Sequence, residues 1–363
     1  MKLSVTQENL SRALSTVSRV ASSRASLPIL SNVLLKTEGN RLTVAATNLD
    51  IAITETIGAK IAKEGSITVP ARLMQDFVGS LPAGSLDLEV TDNKLVLKAE
   101  RFDSTINGVS AEEFPVMPTI EGGTVIEFVS SEMKQILGQV LFTASSDESR
   151  PVLTGVYFSS DSGRTYVAAT DSYRLAEKTL LKNSDDMSLI IPAPSLTELL
   201  RTLKDDNEVL SITYDEQQAR FSVGGVEIVT RLVDGKYPDY KKLLPQKFET
   251  TARLKRKALA EITKVSSLFA REAAGSITLT IDEAKKEVSI RSIASQIGEN
   301  TATAEAEVSG DATITLNSRY ILDALQVFTG DEIQINVNGK LDPCVLTDPG
   351  DDTYLHVVMP VKS

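Results

Sequence analysis

The stretch RPVLTGVYFSSDSGRTYVAATDSYRLAEKTL, Arg150–Leu180, decides the fold, because the chain repeats it. RASLPILSNVLLKTEGNRLTVAATNLDIAITETI, Arg24–Ile57, carries the same skeleton: P-(I/V)-L-(S/T)-x-V, a turn, then V-A-A-T-(N/D). Pro28 aligns with Pro151 and Thr47 with Thr170, both 123 residues apart with no gap between them. Self-similarity at a fixed period marks a repeat architecture.

The echo continues beyond this stretch. ITVPARLMQDFVGSL (Ile67–Leu81) matches LIIPAPSLTELLRTL (Leu189–Leu203), and ITLNSRYILDALQVF (Ile314–Phe328) is a third version. Pro70, Pro192 and Asn317 share one place, after a short β-like run and at the start of an apolar helical pattern. Proline in a first helical turn and asparagine as an N-cap both suit that position. Each copy also opens on a helical pattern: Leu10, Ala13, Leu14 and Val17 in the first, Met133, Ile136, Leu137 and Val140 in the second. In the third, Leu259, Ile262, Val265, Leu268 and Phe269 approximate it.

Between helices the apolar period is two: Leu86, Leu88 and Val90, then Leu95 and Leu97; Ile277, Leu279 and Ile281; Ile333, Ile335 and Val337. These predict half-buried antiparallel strands. VGGVEI at Val223 reads as a bulge in such a strand. The fold class is therefore α+β, three tandem copies of a domain with two helices packed on antiparallel sheets, at residues 1–122, 123–248 and 249–363.

Composition bounds the function. Of 363 residues, 42% are hydrophobic and 24% charged, which is ordinary for a soluble protein with ample core. MKLSVTQENL turns polar too early for a signal peptide, and no apolar run approaches a membrane span, so a cytoplasmic protein with no membrane partner is expected. One Cys, Cys344, excludes an internal disulfide, and one Cys with one His excludes a Cys/His zinc cluster.

No phosphate-binding glycine loop of the Walker or dinucleotide type is present. The single histidine, His356, leaves open a hydrolase centred on it, although no nucleophile elbow accompanies it. TDPGDDTY, Thr347–Tyr354, has three Asp residues at spacings unlike an EF-hand and reads as a solvated turn. No cofactor and no metal are expected.

The net charge of −11 argues against a surface coated in nucleic acid, but a basic face can hide in an acidic total. Thr251–Arg271 holds six basic residues, Arg253, Lys255, Arg256, Lys257, Lys264 and Arg271, against one acid, Glu261. Arg12 and Arg19 lie opposite the apolar face of the first helix, and an arginine follows the first helix of every copy: Arg24, Arg150, Arg271. Each helix alone could be a solvated face. The recurrence favours one shared basic surface, and the lack of an aromatic ladder suggests contact with backbone phosphates. Two aromatic-proline steps, Phe114-Pro115 and Tyr237-Pro238, again 123 apart, read as stiff connectors between copies.

LPILSNVLL, VAATDSYRLA, LVDGKYPDYKKLLP and the terminal VVMPVKS, set in this three-copy layout, resemble the bacterial β sliding clamp family, the processivity subunit of DNA polymerase III. The resemblance covers the whole chain. It implies a head-to-tail homodimer, a ring around double-stranded DNA that binds without sequence preference, catalyses nothing and tethers the polymerase. Arg24, Arg150, Arg271, Lys257 and Lys264 would then lie near the DNA. Two alternatives stand beside it: a clamp-like scaffold that binds partners without encircling DNA and, from another class, the hydrolase using His356.

The resemblance also implies a hydrophobic pocket between the second and third domains for short peptides of the DNA polymerase III α subunit, the clamp loader and other proteins carrying a clamp-binding motif. The matching positions are Leu153, then Thr170, Ser172, Tyr173, Arg174 and Leu175, then Pro238, Lys242 and Leu243, and finally Val357, Met359, Pro360 and Val361. Two positions depart from the family pattern: Lys242 stands where arginine is frequent, and Val361-Lys362-Ser363 replaces a common Met-Arg-Leu ending. Lysine cannot form the planar bidentate fork of arginine.

Overall fold

The computed structural model describes residues 1–21, 27–180, 187–245, 247–296 and 298–361. Among the described residues six α-helices recur at the spacing of the repeat: α1 (Gln7–Val17), α2 (Ala71–Ser80), α3 (Ser130–Val140), α4 (Ala193–Thr202), α5 (Arg256–Ser267) and α6 (Ser318–Val327). The chain divides into two compact units, Met1–Lys134 with Pro194–Leu232, and Gln135–Ala193 with Val233–Ser363. The second copy contributes strands to both.

The first unit holds two antiparallel sheets. One has five strands in the order Lys60–Lys63, Lys2–Thr6, Ser85–Thr91, Lys94–Ala99, Phe102–Asn107. The other has eight: Thr124–Val129, Val209–Tyr214, Gln218–Val223, Val226–Arg231, Ile51–Gly58, Arg41–Thr47, Asn32–Glu38, Gly65–Pro70. The period-two residues Leu86, Leu88, Leu95 and Leu97 all face the core. Helix α1 buries Leu10, Ala13, Leu14 and Val17, the face its spacing predicts. Each fully buried leucine contributes about 2 kcal/mol. Its N-cap is Thr6, whose side chain accepts from the Asn9 amide.

Gly224 and Gly225 correct one expectation. They are the two central residues of a hairpin turn, with φ of 57° and 82°, not a bulge. Left-handed backbone at both positions is what a two-residue turn needs to match the twist of its strands, and glycine supplies it without strain.

The second unit has a nine-stranded antiparallel sheet: Ser188–Pro192, Gly155–Asp161, Arg164–Thr170, Arg174–Leu180, Asp351–Val358, Cys344–Asp348, Glu332–Val337, Thr250–Lys255, Glu307–Ser309. A four-stranded sheet runs Gly298–Glu305, Glu287–Ala294, Ser276–Asp282, Ala312–Asn317. Asn317 caps α6 through its side chain, which accepts from the Arg319 amide at 2.9 Å.

Helix α5 departs from its predicted face. Leu259 and Ile262 are buried, but Val265 and Leu268 are 46% and 52% exposed, and Thr263 and Ser266 take the core positions. Both hydroxyls are satisfied there: Thr263 donates to the Leu259 carbonyl at 2.6 Å and Ser266 to Asn300 Oδ1 at 2.9 Å. Small bonded side chains let the helix pack on Glu287–Ala294 and Gly298–Glu305, where Ser292 donates to the Ser266 carbonyl at 2.8 Å.

The acidic turn near the C-terminus is also more built than a solvated loop. Asp348 is buried and accepts from the amides of Gly330 and Gly350 at 2.9 and 2.8 Å. Asp351 pairs with Lys178 at 2.8 Å.

Candidate functional site

The repeated T-(N/D) step builds the same loop twice. Thr170 Oγ1 accepts from the Ser172 amide at 3.1 Å and donates to the Arg174 carbonyl at 2.6 Å. Asp171 Oδ1 accepts from the amides of Tyr173 and Arg174, both at 2.9 Å. In the first copy Thr47 Oγ1 accepts from Leu49 and donates to Ile51, both at 3.0 Å, while Asn48 Oδ1 accepts from Asp50 and Ile51. Short side chains that bond the backbone two residues on stabilise such turns. The third residue of each is left-handed, Leu49 at φ 80° and Ser172 at φ 77°.

The loop presents Arg174 in a fixed pose. Its Nε lies 3.1 Å from Asp171 Oδ2, its Nη1 2.7 Å from Asp323 Oδ2, and its Nη2 donates to the Phe142 carbonyl at 3.0 Å. The guanidinium also lies over the rings of Phe142 and Tyr320, 5.3 and 4.7 Å from their centroids.

The connector after Arg231 supplies the facing wall. Tyr237 stacks on Tyr157 with centroids 4.7 Å apart and meets Tyr240 edge-on at 6.4 Å. Tyr240–Leu243 forms a 3-10 turn, and the Tyr240 amide donates to the Pro238 carbonyl at 2.8 Å. The Tyr240 hydroxyl donates to Glu177 Oε2. Lys241 sits 3.4 Å over the Tyr166 ring and 3.6 Å from Asp161.

Together these elements enclose a cavity of about 140 Å³ within the second unit. The structure brings Leu153, Thr170, Ser172, Arg174 and Leu175 to its wall, with Pro238, Leu243, Val357 and Met359. Its surface is mostly apolar, and Thr170, Ser172 and Arg174 are the polar residues among those that line it, the mixture that anchors and orients a small ligand segment. Four other sequence-predicted residues stand off the wall. Tyr173 is exposed, and its carbonyl accepts from the Met359 amide at 2.8 Å. Lys242 is exposed and pairs with Asp239 at 2.9 Å. Pro360 is half-buried, and the Val361 amide donates to the Thr315 carbonyl at 2.8 Å. Lys362 and Ser363 lie outside the described residues.

Sequence reading missed two wall residues, Tyr240 and Leu244. The signal was present in DYKKLLP: the only aromatic and apolar side chains of a basic stretch are candidates to face inward when the backbone turns.

The candidate cations fall into different settings. Arg24 lies outside the described residues. Arg150 pairs with Asp147 at 3.2 Å and donates to Ser172 Oγ at 2.9 Å, so it braces the pocket loop. Lys257, Lys264 and Arg271 are exposed and enter no ion pair among the described residues; Lys257 and Lys264, seven residues apart, share the solvent face of α5 with Glu261. Arg253 and Lys255 both reach Glu332, whose carboxyl is held below the usual range by Lys255 first and then Arg253. Arg256 donates to the carbonyls of Gly330 and Leu325. Arg12 pairs with the buried Glu55 at 2.5 Å, and Arg19 with Glu198 at 3.0 Å.

His356 is sealed in the core. Its ring stacks on Phe142 at 5.7 Å, and Nδ1 lies 3.5 Å from the Tyr354 hydroxyl. Burial, with a lesser contribution from Arg174, lowers its pKa to about 3. A closed imidazole that resists protonation cannot serve a solvent-exposed hydrolytic centre, and the hydrolase reading falls with it. Cys344 is equally buried, and burial pushes its thiol up to about 12.

Comparison with known proteins matches three family models in tandem: DNA polymerase III beta subunit N-terminal domain over residues 1–118, central domain over 127–239 and C-terminal domain over 241–362. A Bacillus subtilis protein named beta sliding clamp is 30% identical, covering all of both chains. One from Synechocystis sp. with the same name is 31% identical, covering 100% of this chain and 99% of the other. A crystal structure of the DNA polymerase sliding clamp from Bacillus subtilis superposes with a TM-score of 0.95 at 28% identity, covering 100% of this chain and 99% of that one.

Proposed function

The chain belongs to the DNA polymerase III beta subunit family and is a DNA sliding clamp, and from that premise we propose how its parts work. The single observation that carries the reading is the match over the full length of a relative named beta sliding clamp. We divide the chain into three clamp domains at 1–122, 123–248 and 249–363, a division supported by the 123-residue repeat.

Two copies close head to tail into a ring around duplex DNA. The contact is heterologous, so it joins different surfaces of the two copies and leaves no free end once it closes. Two exposed sheet edges suit it: Phe102–Asn107 in the first unit, with Phe102 open to solvent, and Gly298–Glu305 in the second. Edges of this kind pair readily with another chain. The expected solution mass is about twice 39.2 kDa, and a monomeric mass at working concentration contradicts the ring.

Lys257, Lys264 and Arg271 form a weak phosphate-facing lining, while Arg150 is held at the pocket loop by Asp147 and Ser172. Topology holds the ring, so the lining can be salt-sensitive, and contacts to phosphates alone permit sliding. The acidic net charge of the chain is compatible with this because the cations are local. The ring catalyses nothing and works in the cytoplasm; among the described residues no helix is long and apolar enough to cross a membrane.

The cavity beside Pro238 and Leu243 takes short peptides of the polymerase III α subunit, the clamp loader and other proteins carrying the same motif. Its apolar wall anchors side chains, and Met359 gives it an adaptable surface for several sequences. Tethering makes each re-encounter of polymerase and template effectively intramolecular.

A further inference from the structure

We infer that Glu177 is a positioning residue for the peptide pocket: its buried carboxylate holds the hydroxyl of Tyr240 and so fixes the aromatic wall of the cavity. The inference rests on the reading of that cavity as a peptide site.

Glu177 lies on the strand Arg174–Leu180, next but one to the wall residue Leu175, and is 5% exposed. Its strand neighbours across the sheet are Ala168 and Leu355, which offer the carboxylate no charge. The groups that meet it come from the connector: the Tyr240 hydroxyl, which donates to it, and the Lys241 ammonium, which acts at longer range. A buried carboxylate without a donor is costly, so this one is a strong anchor for whatever carries the donor. Burial raises the Glu177 pKa against the opposing pull of Tyr240 and Lys241. Burial and the adjacent carboxylate push the Tyr240 hydroxyl up, so it remains a donor at neutral pH.

Tyr240 is the only aromatic among the described wall residues and is 3% exposed. Its ring rests edge-on against Tyr237, and its hydroxyl is tied to the sheet. Both ends of the side chain are thereby fixed, and the 3-10 turn that carries Leu243 is fixed with them. If the tie is cut, the connector samples positions that do not form the pocket. The apparent Kd then rises by the reciprocal of the competent fraction, so a fraction of one tenth weakens binding about tenfold.

The test uses the full-length clamp and a fluorescein-labelled peptide from the polymerase III α subunit, read by anisotropy. Glu177→Leu removes the acceptor and is expected to weaken binding about tenfold. Glu177→Gln keeps a carbonyl oxygen to accept from Tyr240 and is expected to stay within about twofold of wild type, a rescue that mere loss of folding does not produce. Tyr240→Phe preserves the ring volume and carries the test if Glu177→Leu does not fold; it should weaken binding to a similar degree. Wild-type affinity in both Glu177→Leu and Tyr240→Phe overturns the inference, as does Glu177→Gln falling as far as Glu177→Leu. An impaired Leu243→Ala beside unaffected Glu177→Leu and Tyr240→Phe overturns this inference alone. An unaffected Leu243→Ala overturns the pocket reading and this inference with it.

Discussion

Arg174 and Asp323 meet at 2.7 Å, tying the pocket loop to helix α6. The same guanidinium bonds Asp171 and the Phe142 carbonyl and lies over two rings, so it uses its planar fork in full. Lysine offers a point charge without that geometry. Arg174→Lys should therefore lower stability by about 1–3 kcal/mol in urea unfolding and weaken peptide binding in parallel.

The two connectors make a paired comparison. Leu243 is 56% exposed at the mouth of the cavity, so Leu243→Ala should weaken peptide binding several-fold while the unfolding midpoint stays put. Pro115 occupies the equivalent joint in the first copy, near Leu49 and Val229. Pro115→Ala should lower stability by about 0.5–1 kcal/mol through greater freedom of the unfolded chain and leave peptide titrations unchanged.

Charge reversal tests the proposed lining. With Lys257, Lys264 and Arg271 all changed to Glu, retention on DNA should fall. The slope of log affinity against log salt should shrink by about 0.9 for each phosphate that is no longer neutralised. The three side chains are exposed and free of ion pairs among the described residues, so circular dichroism melts should match wild type.

His356 sets a pH signature. Its pKa is about 3 when folded and about 6.5 when unfolded. Above the unfolded value both states are neutral and stability is unchanged. Between the two values the unfolded chain binds a proton that the folded chain refuses, so stability falls as pH drops, by about 1.4 kcal/mol per unit. His356→Gln should flatten that segment of the stability curve between about pH 6 and pH 4, where the difference from wild type isolates this group.

The repeat made much of the fold legible, because both loop-forming pairs, Thr47-Asn48 and Thr170-Asp171, encode their turn in short side chains that bond the adjacent backbone. The helix positions followed from the same repeat, since Pro70, Pro192 and Asn317 mark starts. Packing was less legible. Val265 and Leu268 satisfy a helical apolar pattern yet face solvent, because Thr263 and Ser266 fit the narrow space against the sheet and pair their hydroxyls. Gly224-Gly225 reads as a bulge in a strand pattern, and only the strand register shows it to be a turn. At the site, resemblance carried the wall residues, but Tyr240 and Leu244, the aromatic and apolar members of DYKKLLP, reach the wall only because the backbone makes a 3-10 turn there. Arg150 looked like its counterpart Arg271, yet its guanidinium reaches Ser172 of the pocket loop.

Encirclement is a topological property, and retention on DNA of defined closure reads it out. The clamp is loaded onto a nicked circular duplex, freed of unbound protein by gel filtration, and the DNA is then cut once. The clamp should stay on the circle through the column and come off after the cut. Equal retention on circular and linear DNA would contradict encirclement.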